Sequence, residues 1–214
     1  MTKIESRFGA ADPTLPARAF YVVMRRLIWA AAKVLFRVEV HGRENVPSSG
    51  AFILAPGAHR SNLEIFVVCL VTRRRLRYMG KDSLWKYAGP DWFFSSLGGF
   101  PINRDGADRE ALTQCLGLVA AGGPEVMFPE GTRRSGPTIE VDHMRDGVAY
   151  VANRGQTPIV PVGIGGSERV MPAKAKYLRP EKMVLVVGEL LAPPPLKESG
   201  RVSRSAVRAQ TEEL

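Results

Sequence analysis

Metal-binding and cross-linking side chains are scarce in this chain. Its 214 residues contain 2 cysteines, Cys69 and Cys115, and 3 histidines, His41, His59 and His143. No spacing among these resembles a zinc site, so no metal centre is expected. Two scattered cysteines make no disulfide framework. They read as small apolar side chains in a reducing compartment, which predicts a cytoplasmic setting. A secretory leader is not expected either, because Met1 to Pro16 is polar and punctuated by proline instead of joining a basic start to an apolar run.

Acid is short relative to base. The chain carries 30 Lys plus Arg against 21 Asp plus Glu, a formal net charge of +9. That field favours an anionic partner: nucleic acid, an anionic bilayer surface or a phosphorylated small molecule. Nucleic acid is not expected. The run Arg73-Arg-Arg-Leu-Arg77 has no interleaved aromatics, no known binding motif accompanies it, and it reads better as a basic end facing lipid or carrier phosphates. The length suits one domain with a sizeable core, and the hydrophobic fraction of 45% is ordinary for one.

Ala17 to Arg37 has five basic residues and no acid. On a helix, Phe20, Val23, Met24, Leu27, Ile28, Ala31, Val34 and Leu35 gather on one side, with Arg18, Arg25, Arg26, Lys33 and Arg37 on the other. Its apolar stretches fall well short of the roughly 18 residues that span a bilayer. A helix packed on the domain fits this pattern. So does a helix lying in the membrane interface, and the unbalanced basic face favours the interface. Beyond it, short apolar runs alternate with helical stretches. Strands are predicted at Phe36–His41, Ala51–Ala55, Arg77–Gly80, Phe100–Asn103, Glu125–Phe128, Ile159–Ile164 and Met183–Val187. Helical stretches are predicted at Asn62–Thr72, Ala107–Ala121 and near Gly147–Asn153, with a short helix from Asp82 as N-cap to Trp85. This alternation implies an α/β fold with a mixed, largely parallel central sheet flanked by helices. The expected organisation is a tail and amphipathic membrane-docking helix over 1–37, a domain over 38–192, and a C-terminal tail or short polar helix over 193–214.

Four loops at strand ends carry the polar residues that chemistry needs. The first is His59-Arg-Ser-Asn-Leu-Glu64. An imidazole removes a proton near neutral pH when a carboxylate fixes its tautomer, and Glu64, five positions on, can reach back to it. A surface histidine followed by a first-turn glutamate would look the same. The second is Gly98-Gly-Phe-Pro-Ile-Asn-Arg-Asp105, where Gly99 permits close backbone approach and Arg104 offers a donor fork matched to phosphate. The third, Phe128-Pro-Glu-Gly-Thr-Arg133, puts Glu130, Gly131, Thr132 and Arg133 just after an apolar strand, with Arg134 adding a cation. The carboxyl end of a buried strand is where α/β proteins place ligands. The fourth, Ile159-Val-Pro-Val-Gly163, holds Pro161, which suits a sheet edge, a bulge or a wall against an acyl chain.

In order and spacing these blocks resemble the glycerolipid acyltransferase family that includes 1-acyl-glycerol-3-phosphate acyltransferases. His59 and Glu64 match a His and an Asp separated by four residues, Gly98 to Arg104 a glycine-led block ending in arginine, and Phe128 to Arg133 the family's Phe-Pro-Glu-Gly-Thr-Arg. Val160-Pro161 matches a Val-Pro strand, and Met144-Arg-Asp-Gly147 loosely matches Phe-Lys-x-Gly. The resemblance implies transfer of a fatty acyl group from acyl-CoA or acyl carrier protein, as co-substrate, to a phosphorylated glycerol lipid, with no bound cofactor. It further implies His59 as general base with Glu64 orienting it, and Arg104, Arg133 and Arg134 on the acceptor phosphate. Gly99, Glu130, Gly131 and Thr132 would position the loop or acceptor, Pro161 would wall the acyl pocket, and the chain would sit on the cytoplasmic face of an anionic membrane. Glu64 departs from the family aspartate and Arg134 from its serine. The longer carboxylate leaves open a catalytically weakened, lipid-binding relative.

Overall fold

The strand segments follow the apolar runs. Ile53-Leu-Ala-Pro56 has all four residues buried, as a strand covered on both faces requires. In this computed structural model, which describes residues 14–57, 60–102, 108–131, 144–171, 177–196 and 202–214, seven strands form one sheet. They are β1 (Glu39–His41), β2 (Ile53–Pro56), β3 (Arg77–Lys81), β4 (Gly99–Ile102), β5 (Glu125–Val126), β6 (Ile159–Gly165) and β7 (Val184–Val187), in the spatial order β1-β7-β6-β2-β5-β3-β4. Every neighbouring pair is parallel except β6 and β7. The fold is therefore α/β with a mostly parallel sheet.

Helices α1 (Leu15–Leu35), α2 (Glu64–Val67), α3 (Ala88–Ser96), α4 (Asp108–Ala120), α5 (Gly147–Gly155), α6 (Ser167–Val170) and α7 (Arg204–Glu213) complete the described elements. Two apolar clusters cover the two faces of the sheet. One joins Ala32 and Phe36 to Phe52, Leu54, Val160, Val162 and Leu185; the other joins Ile53, Phe100 and Met127 to Cys115 on α4 and Val151 on α5. The last helix, α7, docks on α5: Asn153 Nδ2 donates to Gln210 Oε1 (2.6 Å) and Thr211 Oγ1 to Asp146 Oδ1 (3.0 Å).

Several elements differ from the sequence reading. The helical stretch after His59 is a single α-helical turn, α2, continued by a 3-10 segment, Val68–Val71. Asp82 does not cap an α-helix; Asp82–Trp85 is 3-10, preceded by Lys81 in extended backbone. Helix α3 was not predicted, because Gly89-Pro90 reads as a breaker. Proline in a first helical turn loses no hydrogen bond, so the helix forms around it. The apolar side assigned to α1 is also rotated. The side chains that pack inward are Ala17, Tyr21, Met24, Arg25, Ile28 and Ala32, whereas Val23, Leu27, Val34 and Leu35 are exposed. Arg25 accounts for part of this, since it turns inward and donates to the Thr72 carbonyl at 2.6 Å.

Glu125 opens the central strand β5 and is fully buried, with Arg77 as its partner in register on β3. Neither carboxylate oxygen accepts a hydrogen bond from a nitrogen or oxygen among the described residues. Burial raises its pKa from 4.5 to about 7, while the neighbouring Cys115 thiol on α4 and the Arg77 guanidinium pull the other way. A carboxyl whose folded pKa is raised supports the fold fully below its unfolded value and loses that support as pH rises through the folded one. Stability should therefore fall between pH 4.5 and about 7, by on the order of 3 kcal/mol from this group. Glu125→Leu should flatten this slope in denaturant unfolding, with a larger gain over the parent chain at pH 8 than at pH 5.

Candidate active site

Parallel pairing decides where the site is. Strands β6, β2, β5, β3 and β4 are mutually parallel neighbours, so their carboxyl ends lie along one edge. From that edge leave the chain after Pro56 toward His59, the chain after Val126 into Phe128-Pro129-Glu130-Gly131, the chain after Ile102 toward Arg104, and the chain after Gly165 into Ser167. Four segments remote in sequence thus converge, and three of them are the blocks singled out from sequence. His59, Arg104, Thr132, Arg133 and Arg134 themselves lie outside the described residues.

Glu64 is the first residue of α2 and has no exposed surface. Its carboxylate turns back over the preceding loop. The Arg60 N–H donates to both Oε1 and Oε2 (3.0 Å each), and the Ser61 N–H donates to Oε1 (3.0 Å). Arg60 directly follows His59, so the carboxylate is fastened to the backbone next to the histidine. A further donor to Oε1 comes from the Oγ of Ser167, 103 residues downstream and itself buried. Ser167 was not found in the sequence reading. The only local signal is Gly165-Gly166 after a strand. Gly166 has φ +88, and a Cβ there would fall 2.2 Å from the Lys182 carbonyl, so only glycine lets the chain turn into Ser167 at that point.

The Pro-Glu-Gly segment is a hydrogen-bonded turn, with the Gly131 N–H donating to the Phe128 carbonyl (3.0 Å). Gly131 has φ +69, and the Arg145 side chain occupies the space a Cβ would take, its Cδ 3.0 Å away. The Arg145 N–H donates to the Pro129 carbonyl (2.9 Å), which ties the Met144-Arg-Asp-Gly147 segment to the turn. Glu130 is buried. Gly99 has a packing explanation: a Cβ there would meet the Phe94 carbonyl at 2.9 Å and the Trp85 ring at 3.0 Å. Pro161 is not at a sheet edge, since β6 pairs with β2 on one side and β7 on the other. It lies opposite Gly188, just past the end of β7, where its carbonyl accepts from the Gly188 N–H (2.9 Å) and its missing N–H costs no regular ladder bond.

The arginine run serves the fold. Arg75 donates to the carbonyls of Ser95 (2.7 Å) and Ser96 (3.1 Å) at the end of α3. Arg74 lies over the Phe52 ring, 5.2 Å from its centroid, and donates to the Pro47 and Gly122 carbonyls. These two guanidiniums face the protein's own carbonyls. Beneath them Tyr21, over which Arg75 also sits, has its phenol pushed up to about 12 by burial.

A family model described as Acyltransferase matches residues 37–165. The chain belongs to the acyltransferase family. Among relatives of this chain, a 1-acyl-sn-glycerol-3-phosphate acyltransferase of Chlamydomonas reinhardtii is 29% identical over 87% of this chain and 56% of its own length. A chloroplastic enzyme of the same name from Brassica napus is 27% identical over 72% of this chain and 45% of its own. The chain thus spans about half the length of the curated relatives it matches. In fold it is similar to the crystal structure of the 1-acyl-sn-glycerophosphate acyltransferase of Thermotoga maritima, with a TM-score of 0.71, 24% identity, and coverage of 95% of this chain and 81% of that one.

Gly98 tests how strand β4 is held. Gly98 (φ +95) and Gly50 (φ +73) both need left-handed backbone, but a Cβ on Gly98 would fall 2.2 Å from the Leu76 carbonyl, whereas Gly50 has open space. Gly50→Ala should cost about 1–2 kcal/mol of unfolding free energy. Gly98→Ala should cost at least about twice as much, read as a correspondingly larger drop in thermal midpoint.

Proposed function

We propose that this acyltransferase moves a fatty acyl group from a thioester carrier, acyl-CoA or acyl carrier protein, to the free hydroxyl of a phosphorylated glycerol lipid in phospholipid synthesis. The names of the relatives favour 1-acyl-glycerol-3-phosphate as acceptor. One observation carries the reading: a fully buried carboxylate, Glu64, is fastened to the backbone amide that follows His59 at the carboxyl end of a central strand. A buried carboxylate held this way suits orientation of an imidazole and stabilisation of the imidazolium formed as a proton is taken.

In this mechanism His59 removes the hydroxyl proton as the oxygen attacks the thioester carbonyl. The tetrahedral intermediate collapses, the C–S bond breaks, and the proton passes to the departing thiolate. No acyl-enzyme forms. Backbone N–H groups of the His59 loop or of the Glu130-Gly131 turn would face the oxyanion. Arg104, Arg133 and Arg134 would bind the acceptor phosphate, with Glu130 and Thr132 shaping that loop and Pro161 bordering the acyl chain. No bound cofactor takes part in these steps. Purified chain with radiolabelled acyl donor and lysophosphatidic acid should form phosphatidic acid. His59→Ala should lower kcat by about 10²–10⁴-fold with the thermal midpoint unchanged. A wild-type chain that binds the acceptor but never transfers would point instead to a lipid-binding relative.

The same reading places the chain on the cytoplasmic face of a membrane. Among the described residues no helix is long and apolar enough to cross one. An exposed apolar strip on α1, with Val23, Leu27 and Val34, adjoins α3, where Trp92 and Phe93 pack around Phe20 at 4.9 and 5.7 Å between ring centroids. Exposed Arg18, Arg26 and Lys33 would meet anionic headgroups, each contributing about 1 kcal/mol. Aromatic rings at the rim and cations beside an apolar strip suit an interfacial helix. Vesicles containing anionic lipid should retain the chain, and the pair Val23→Asp with Leu27→Asp should weaken binding by at least about tenfold. Unchanged binding of that pair would make the strip structural only.

A further inference from the structure

Glu64 and Ser167 are the two ends of a contact that nothing in the local sequence explains. They are 103 residues apart and both buried, and the Ser167 hydroxyl donates to Glu64 Oε1. Buried serine hydroxyls most often bond to nearby backbone. This one begins α6, where the usual local use would be as a helix cap, yet the helix is preceded by Gly166 and the serine side chain crosses to another loop instead. Placement follows from topology. Strand β6 runs parallel to β2 and beside it, so the residue that leaves β6 through Gly165-Gly166 arrives next to the residues that leave β2.

Glu64 Oε1 accepts from the Arg60 N–H, the Ser61 N–H and Ser167 Oγ, while among these same groups Oε2 accepts only from Arg60. Two of the Oε1 donors are on Glu64's own loop and would travel with it. Ser167, by contrast, ties the carboxylate to the segment that follows β6, and so fixes the plane of the carboxyl group relative to the sheet. A glutamate has one more rotatable bond than an aspartate, so without such an anchor its carboxylate can swing while the loop stays in place.

We propose that Ser167 is a positioning residue for acyl transfer: its hydroxyl holds the Glu64 carboxylate in one orientation against the loop that follows β2, the loop that carries His59 in the sequence. The proposal rests on the reading of His59 and Glu64 as a base and its orienting carboxylate. Ser167 touches no substrate in this scheme and acts only through Glu64. Its loss should appear in the step that generates the imidazolium and not in substrate binding.

The test is steady-state acyl transfer from acyl-CoA to lysophosphatidic acid by the full chain and four variants. Ser167→Ala should lower kcat about 10–100-fold, leave both KM values within about twofold, and keep the thermal midpoint within a few degrees. Ser167→Thr, which keeps the hydroxyl, should recover most of that loss. Glu64→Gln should lower kcat more than Ser167→Ala does. Adding Ser167→Ala to Glu64→Gln should cost little further, because the two act as one unit. If Glu64→Gln is crippled but Ser167→Ala turns over within about twofold of the parent, the anchor role is overturned while the base and carboxylate stand. Fully multiplicative losses in the double variant, or a kcat loss that Ser167→Thr does not recover although that variant melts like the parent, overturn it as well. Full turnover by Glu64→Gln overturns both the anchor and the reading beneath it.

Discussion

Parallel pairing of β6, β2, β5, β3 and β4 is the constraint on which the rest of the molecule depends. A parallel neighbour can be reached only by a crossover that carries the chain back to its starting end, so each return delivers a new loop to the same edge. Here that rule brings residues near positions 60, 102, 130 and 167 to one side of the sheet, although the chain between them fills both faces. Strands β1 and β7 are parallel to each other but run against the other five. Their carboxyl ends leave from the opposite edge, which is why Gly188 meets Pro161 and not the Glu64 loop.

Within that frame the energetic problem is a buried carboxylate. Taking an ionised carboxyl group out of water costs several kcal/mol even after relaxation, and only well-placed donors offset it. Glu64 and Glu125 are equally buried and are treated differently by their surroundings. Glu64 has two loop amides and a hydroxyl converging on it. Glu125 has no nitrogen or oxygen donor among the described residues, and burial raises its pKa to about 7. The first environment aims hydrogen-bond donors at a carboxylate. The second tolerates a carboxyl only while it can be neutral.

Much of this was legible in the sequence because it depends on short apolar runs and on turn chemistry. Each of the seven strands was expected within a few residues, since runs such as Ile53 to Pro56 leave a buried strand as the economical reading. The His59, Arg104 and Glu130 loops were legible because polar residues interrupt apolar strands at one end only. What failed depended on partners far along the chain. The packed stripe of α1 could not be read from its own periodicity, because Arg25 finds the Thr72 carbonyl and Tyr21 the arginines of the next loop. Helix α3 was hidden by Gly89-Pro90, whose breaking character vanishes in a first turn. Ser167 was invisible for a similar reason: a serine after Gly-Gly has no local mark of a partner 103 residues away.

The charge of +9 illustrates how composition and structure diverge. Arg25, Arg74 and Arg75 do not contribute to a surface field in the way a count suggests, because each is turned onto backbone carbonyls that helix and loop ends leave unsatisfied. Arginine suits this task better than lysine, since its planar fork serves two carbonyls at once, as Arg74 does with Nη1 on Pro47 and Nη2 on Gly122. On α1, exposed Arg26 flanks the exposed apolar strip, while the Lys33 ammonium donates to the Val38 carbonyl at 2.8 Å. That strip is not remote from the site. Helix α1 packs against both α3 and α2, and α2 begins at Glu64 and continues into exposed Ile65 and Phe66. The apolar surface and the buried carboxylate are therefore joined through a single helical turn. A substrate with a charged head and an apolar tail would suit that juxtaposition better than one that is polar throughout.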